Sequence, residues 1–254
     1  MQRLQLSLPS LGERSLLLSE LDGHTELLAD PGDPGAVEGL LGRLLHEPTG
    51  RPVELTGLLA TWRDRALAAL FALEFGNRID SRGRCGACNA SFEFAFALDD
   101  VLSAQDEAAA ATGLTLDASG WWALADGARL RPPTLGAICE HAGPAALIAS
   151  LCEGTIERDE AESLLDAAAP LLSVDLETSC PHCGERQQLA FEMGRYLVES
   201  LAAERPLLIR ETHLIASRYG WGHETIMSLP RADRRAYAHL IMSERSTAAP
   251  RQTR

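Results

Sequence analysis

The sequence predicts an α+β fold, mostly helical, with a small antiparallel zinc-ribbon-like β core formed by two distant CxxC–strand units and a C-terminal helical hairpin. Three observations carry this expectation. Cysteine pairs at Cys85/Cys88 and Cys180/Cys183 are each followed by a run in which apolar side chains alternate, the period of a strand. Apolar residues at helical spacing recur through much of the remainder. The stretch from 204 to 245 holds two such helical segments separated by Gly220.

Residues 1–50 form an N-terminal segment. Its apolar runs LQLSLP and SLLLSELDGHTELL, with Asp22-Gly23 as the turn signal, predict a β-hairpin. DPGDPGAVEG then breaks regular structure ahead of a helix in GLLGRLLHEP. Residues 51–203 form the expected zinc-stabilised core. In TWRDRALAALFALEF, Leu67, Leu70, Phe71 and Phe75 share a helical face and Gly76 stops the helix. Residues 79–98 read as strand, cysteine turn and strand, with Phe92, Phe94, Phe96 and Leu98 on one face.

An acidic middle, about 103–172, reads as an insertion in this core. It opens with a helix over Leu102–Ala111; Trp121 and Trp122 then start a hairpin that Pro132-Pro133 ends before another helix. The tryptophan pair is read as packing. The second knuckle lies in TSCPHCGERQQLAFEM. A shift of 95 residues superposes Cys85 on Cys180 and Cys88 on Cys183, and sets Phe94, Phe96 and Leu98 on Leu189, Phe191 and Met193. The chain therefore contains a cryptic repeat of helix, short strand (Asn77–Asp80 or Ser173–Glu177), knuckle, strand and trailing helix. In the closing hairpin, residues 204–245, Leu207 and Leu208 recur as Leu214 and Ile215, and Ser228 and Pro230 open a helix with Tyr237, Leu240 and Ile241 on its apolar stripe. Residues 246–254 are expected to be a disordered tail.

Composition narrows the function. The chain of 254 residues is long enough for a sizeable core, and it carries 36 acidic against 23 basic residues, a net charge of −13. That field disfavours a nucleic-acid backbone as main partner. Residues 100–180 hold fourteen acids and three arginines, whereas 205–245 hold seven arginines and four acids, so different surfaces are expected to meet different partners. Every basic residue is arginine. The absence of lysine excludes a P-loop lysine, the protein-kinase lysine and Schiff-base chemistry. No apolar run spans a bilayer and MQRLQLSLPSLGER lacks the features of a signal peptide, which points to a cytoplasmic protein.

Two CxxC pairs offer four thiolates, and a spacing of two residues lets both sulfurs of a pair grip one edge of a tetrahedral Zn²⁺. Cys85, Cys88, Cys180 and Cys183 are thus the expected ligands of one structural zinc, a closed shell without room for substrate. The 91 residues between the pairs exceed zinc-ribbon spacing, but the strand after each knuckle would let the two strands pair as a sheet with the metal joining their mouths. A thioredoxin-like pair should open a helix after a strand, and disulfides suit an oxidising compartment better. Cys139 and Cys152 read as buried thiols, and His182 as superfluous to the metal.

No catalytic constellation emerges. HETIM at 223–227 begins like HExxH, but Met227 replaces the second histidine; there is no GxSxG, and Cys139, Glu140 and His141 are merely consecutive. The protein is read as a non-enzyme. Arg231, Arg234 and Arg235, on the first turns of the last helix, read as a protein-facing basic surface in preference to a DNA-reading one.

HLIASRYGWGHETIMSLPRADRRAYAHLI resembles the C-terminal signature of T4-type phage baseplate proteins and their counterparts in bacterial contractile injection systems. RDRALAALFALEFGNRID followed by CGAC, and LRPPTLGAI, are similar to the zinc-knuckle members of those systems; the similarity covers roughly residues 55–245, judged by motif order. The resemblance implies a structural component or assembly factor of the baseplate hub. Its partners would be other baseplate, hub or tube proteins, with no small-molecule substrate and no membrane. Trp221, Arg231, Arg234 and Arg235 are then the expected partner-binding residues, since tryptophan and arginine dominate interface energetics. The alternative is a zinc-ribbon nucleic-acid-binding or regulatory protein.

Overall fold

A three-residue turn, Pro9-Ser10-Leu11, joins β1 (Gln2–Leu8) to the antiparallel β2 (Gly12–Leu18), with Leu6, Leu8, Leu16 and Leu18 buried on the inner face. This computed structural model describes residues 1–125 and 127–248. The N-terminal hairpin thus exists, but Asp22-Gly23 is not its turn. Asp22 instead caps the short helix α1 (Gly23–Glu26), its Oδ1 accepting from the Thr25 amide at 2.7 Å and the Thr25 hydroxyl at 2.6 Å.

Helix α2 (Ala36–Leu44) ends earlier than its apolar pattern predicts, because Leu45–His46 form β3 and pair with β2. After a 3₁₀ turn at Leu55–Gly57, α3 (Ala60–Phe75) runs through the core. It is buried on most sides, from Trp62 and Ala66 to Leu70 and Phe71, as suits a helix apolar nearly all round. Gly76 ends it with φ 85°, a conformation that glycine adopts at little cost. The charged residues of α3 are spent on other elements. Arg65 donates to the Ser7 carbonyl at 3.0 Å and to Asp106 at 2.6 Å, and Asp64 accepts the Leu172 amide at 2.7 Å. Burial pushes the Asp64 carboxyl up, with Arg63 pulling against it.

The first repeat unit continues through β4 (Arg78–Arg84), β5 (Ser91–Ala97) and α4 (Leu98–Ala111). In the acidic middle, β6 (Trp122–Ala123) and β7 (Arg129–Leu130) form the expected hairpin; helices α5 (Leu135–Glu140) and α6 (Pro144–Leu151) follow, and β8 (Cys152–Glu153) returns to pair with β7. Trp122 is fully buried, its indole N–H donating to the Ser10 carbonyl at 2.9 Å, so this insertion is locked onto the N-terminal turn. Cys139 and Cys152 depart from expectation: the first is exposed on α5, and the second lies half-buried in a strand.

The second unit comprises α7 (Arg158–Ala168), β9 (Ser173–Ser179), β10 (Arg186–Glu192) and α8 (Met193–Ala203). Its strands and the start of α8 sit 95 residues beyond those of β4, β5 and α4, so the repeat read from the cysteines extends to the bounds of both strands. Glu204 ends α8 and also caps α9 (Arg205–Tyr219), so the chain enters the C-terminal region without a linker. Gly220, at φ 69°, stops α9; α10 (His223–Met227) and α11 (Arg231–Ala248) complete the fold. A separate small core of Leu214, Ile215, Ile226, Ala238 and Ile241 holds these helices together. Leu240, expected on that stripe, is exposed, and Ala238 takes the inward place. Helix α11 also runs through residues 246–248, the start of the expected tail; residues 249–254 lie outside the described residues. Among the described residues, no helix is long and apolar enough to cross a membrane.

Candidate metal centre

Each cysteine pair sits in a tight turn, and the two turns share one hydrogen-bond plan. The Cys85 amide donates to the Ala90 carbonyl at 2.9 Å and the Asn89 amide donates back to Cys85 at 3.0 Å. In the second turn, Cys180 donates to Glu185 at 2.9 Å and Gly184 to Cys180 at 2.8 Å. The fourth residue after the first cysteine must be left-handed in both cases: Asn89 has φ 60° and Gly184 φ 76°. Asparagine and glycine are the residues that tolerate this region best.

The strands after the knuckles do not pair with each other, contrary to the sequence expectation. Each pairs with its own predecessor, β4 with β5 and β9 with β10, giving two separate two-stranded sheets. The physical reason is the longer first strand of each unit: β4 reaches Arg84 and β9 reaches Ser179, so each cysteine turn joins two seven-residue strands that pair along their whole length. The hairpins then meet face to face. Leu189 packs so closely on Gly83 that a Cβ there would lie 2.7 Å from its Cδ1. Phe96 and Phe191 make an edge-to-face pair at 5.1 Å, and the Gly86 amide donates to the Gln187 side chain at 2.8 Å. Tyr196 of α8 seats this stack, its hydroxyl donating to the Asp80 carbonyl at 2.7 Å.

This stacking brings both knuckles to one end, where the sulfurs of Cys85, Cys88, Cys180 and Cys183 all lie within 4.8 Å of one another. Two of the approaches cross between the hairpins, Cys85 to Cys183 at 3.6 Å and Cys88 to Cys180 at 3.7 Å. Four thiolates around a zinc at about 2.3 Å stand about 3.8 Å apart along the tetrahedron's edges, whereas a disulfide requires about 2.05 Å. The arrangement therefore suits a shared ion, and the residues fit a tetrahedral metal. Cys85 and Cys180 are buried under Phe92, while Cys88 and Cys183 face solvent. His182 is exposed and outside the cluster.

The electrostatics point the same way. Amide donors, led by Cys88 N–H, bring the Cys85 thiol down to about 7. For Cys183 the Glu185 amide favours the thiolate, but the thiols of Cys85, Cys88 and Cys180 together with burial outweigh it and push the group up to about 12. One thiolate forms readily and further charge on the cluster is resisted. A dication removes that resistance.

The other expected site residues part company. Trp221 lies half-buried in an aromatic trio, stacked on Tyr219 at 5.3 Å and edge-on to Tyr237 at 5.2 Å. Arg231 and Arg234, expected to form a partner-facing basic surface, are inside the protein, 3% and 1% exposed. The reason is a convergence of carboxylates. Arg234 grips both oxygens of Glu26, at 2.7 and 2.8 Å, and donates to Glu211 at 2.9 Å. Arg231 pairs with Glu74 at 3.2 Å and with Glu204, and lies over the Phe75 ring. Arg235, 39% exposed, bonds Glu204 at 2.5 Å and is the one arginine of the three with substantial access to solvent. Burial pushes the Glu74 carboxyl up, against the pull of Arg231. Sequence reasoning missed this cluster because the four glutamates come from four separate helices or helix junctions with no shared motif. No family model, curated protein or solved structure matches the chain.

Proposed function

We propose that the protein is a non-catalytic structural part or assembly factor, whose core is clamped by one structural zinc at Cys85, Cys88, Cys180 and Cys183. The convergence of four sulfurs from segments 91 residues apart carries this reading. Zinc supplies a compact cross-link that four protein thiolates close to substrate. Cys85 and Cys180 anchor it from beneath, and the amides around Cys85 favour its thiolate form. Purified protein should hold close to one zinc per chain by elemental analysis; a metal-free, fully folded chain overturns the assignment.

The proposed setting is the baseplate hub of a contractile phage tail or injection particle, with hub, tube or other baseplate proteins as partners and assembly in the cytoplasm. The motif order of residues 55–245 motivates it. Mass spectrometry of purified particles and of their assembly intermediates tests it: presence in the particle indicates a component, presence only in intermediates an assembly factor, and absence from both refutes it. The nucleic-acid alternative loses its main support, since Arg231 and Arg234 are occupied by glutamates of the same chain.

A further inference from the structure

We propose that the groove between α1, α9 and α10 is a docking site for an amphipathic helix of a partner protein, one whose apolar stripe is flanked by acidic residues. The groove encloses about 380 Å³. Its floor is apolar and settled: Leu208 and Met227 are buried there, with Ala216 and Thr212 beside them. Met227 is fixed from both sides, since Gly23 leaves it room under α1 and the Thr212 hydroxyl points at its sulfur. The walls are different. Ile209 is 63% exposed and Leu27 40% exposed, large aliphatic side chains turned to water on either side of a ready-made floor.

The shape selects a helix. The α9 positions that line the groove run from Arg205 to Ala216 at steps of three and four, one continuous stripe about 16 Å long. His223 and Met227, one turn apart on α10, form the opposite bank. Such a trough takes the i, i+3, i+4 and i+7 side chains of a helix of about three turns. A membrane surface would call for a projecting apolar ridge, and this one is concave.

The rim selects the charge. Arg205, His213 and His223 stand along the groove, and among the described residues no acid lines it. The neighbouring Glu224 lies 3.4 Å from His24, outside the lining. On a chain of net charge −13, an apolar trough whose one charged lining residue is an arginine favours acidic flanks on its occupant. This surface lies on the same C-terminal helices for which partner binding was expected, but on the α9 face in place of the buried arginines.

The inference names a partner contact for the structural reading and rests on it, but its test needs no particle. A labelled synthetic peptide of about four turns, with leucines at helical i, i+3, i+4 and i+7 spacing and glutamates on both flanks, is titrated against the full zinc-loaded chain beside a lysine-flanked twin. The glutamate peptide should bind at least about tenfold more tightly than its twin, and Ile209→Asp should weaken it at least about tenfold while zinc content and melting temperature stay unchanged. Arg205→Glu should reverse the flank preference. Equal binding of the twins, or indifference to Ile209→Asp, overturns the proposal. So does a dimer that Ile209→Asp dissociates, which would give the groove to a second copy, or phosphatidylglycerol-vesicle binding lost in that variant, which would give it to a membrane. Absence of the protein from particles alongside peptide binding would instead refute the baseplate setting and keep the groove.

Discussion

The thiol cluster at the knuckle tips and the arginine–glutamate cluster under α11 both tie distant parts of the chain together, but with opposite materials. The first joins two hairpins through four sulfurs close to the surface, around a small core of Phe92, Phe94 and Leu189. The second joins α1, α3, the α8–α9 junction and α9 to α11 through buried ion pairs, backed by the Arg231 amide donating to the Leu21 carbonyl at 2.7 Å. Without a cation, a thiol cluster contributes little and resists its own charge. The ionic cluster carries its counter-charges within the chain and so needs no cofactor. The comparison predicts that the core and the C-terminal helices are fastened independently, one dependent on a metal and the other not.

The strongest way to break that comparison is Cys180→Ser. Cys180 is one of the two buried sulfurs, and losing it leaves three ligands and an open tetrahedron. Zinc content should fall towards zero and the loss of stability should exceed about 4 kcal/mol, as befits the loss of a structural metal. Hydrogen exchange should rise across β4, β5, β9 and β10 while α9 and α11 stay protected. Uniform deprotection of both regions would show that the two fastenings are one.

Arg234→Ala is the converse test. It removes the guanidinium that holds Glu26 and Glu211, leaving them only the longer contacts to Arg231 at 3.6 Å and Arg235 at 3.8 Å, which should cost about 3–5 kcal/mol. Replacing all three partners together, Arg234→Met with Glu26→Gln and Glu211→Gln, should recover most of that loss, because a buried pair is far cheaper to exchange than to break. Zinc stoichiometry should be unchanged in the single and the triple variant. A full-length Arg234→Ala protein with wild-type melting would mean that the cluster is redundant.

The same contrast explains how much could be read from the sequence. The four-cysteine cluster was legible because its chemistry is local: two CxxC pairs, each with a following strand, carry their spacing in a few residues, and the 95-residue offset exposed the repeat. What was not legible was which strands pair. Alternation shows that β5 and β10 have an apolar face, but it cannot distinguish two strands side by side in one sheet from two hairpins stacked through those faces. The arginines failed for a different reason. RADRR on an amphipathic helix has the pattern of a solvated basic face, and only the fold brings Glu26, Glu74, Glu204 and Glu211 beneath it. Boundaries slipped where tertiary pairing overrode pattern, as at Leu45, whose helical period gave way to a strand beside Leu18.

The smallest expected effect sharpens the comparison within the metal centre itself, between its two halves. Asn89 and Gly184 occupy one position of the repeat, both left-handed, yet they use different chemistry to get there. Nothing stands within 4 Å of a Cβ built on Gly184, so any cost of a side chain there is a backbone cost alone. Gly184→Ala should therefore destabilise the zinc-loaded protein by about 1–2 kcal/mol, the price of a left-handed alanine. Gly184→Asn should cost distinctly less, since asparagine is enriched in that region, and Asn89→Gly should stay within about 0.5 kcal/mol. Chemical denaturation at saturating zinc reads all three. If Asn89→Gly proves as damaging as Gly184→Ala, the Asn89 side chain has a role beyond permitting the turn, and the two knuckles differ in more than the means by which each reaches the same conformation.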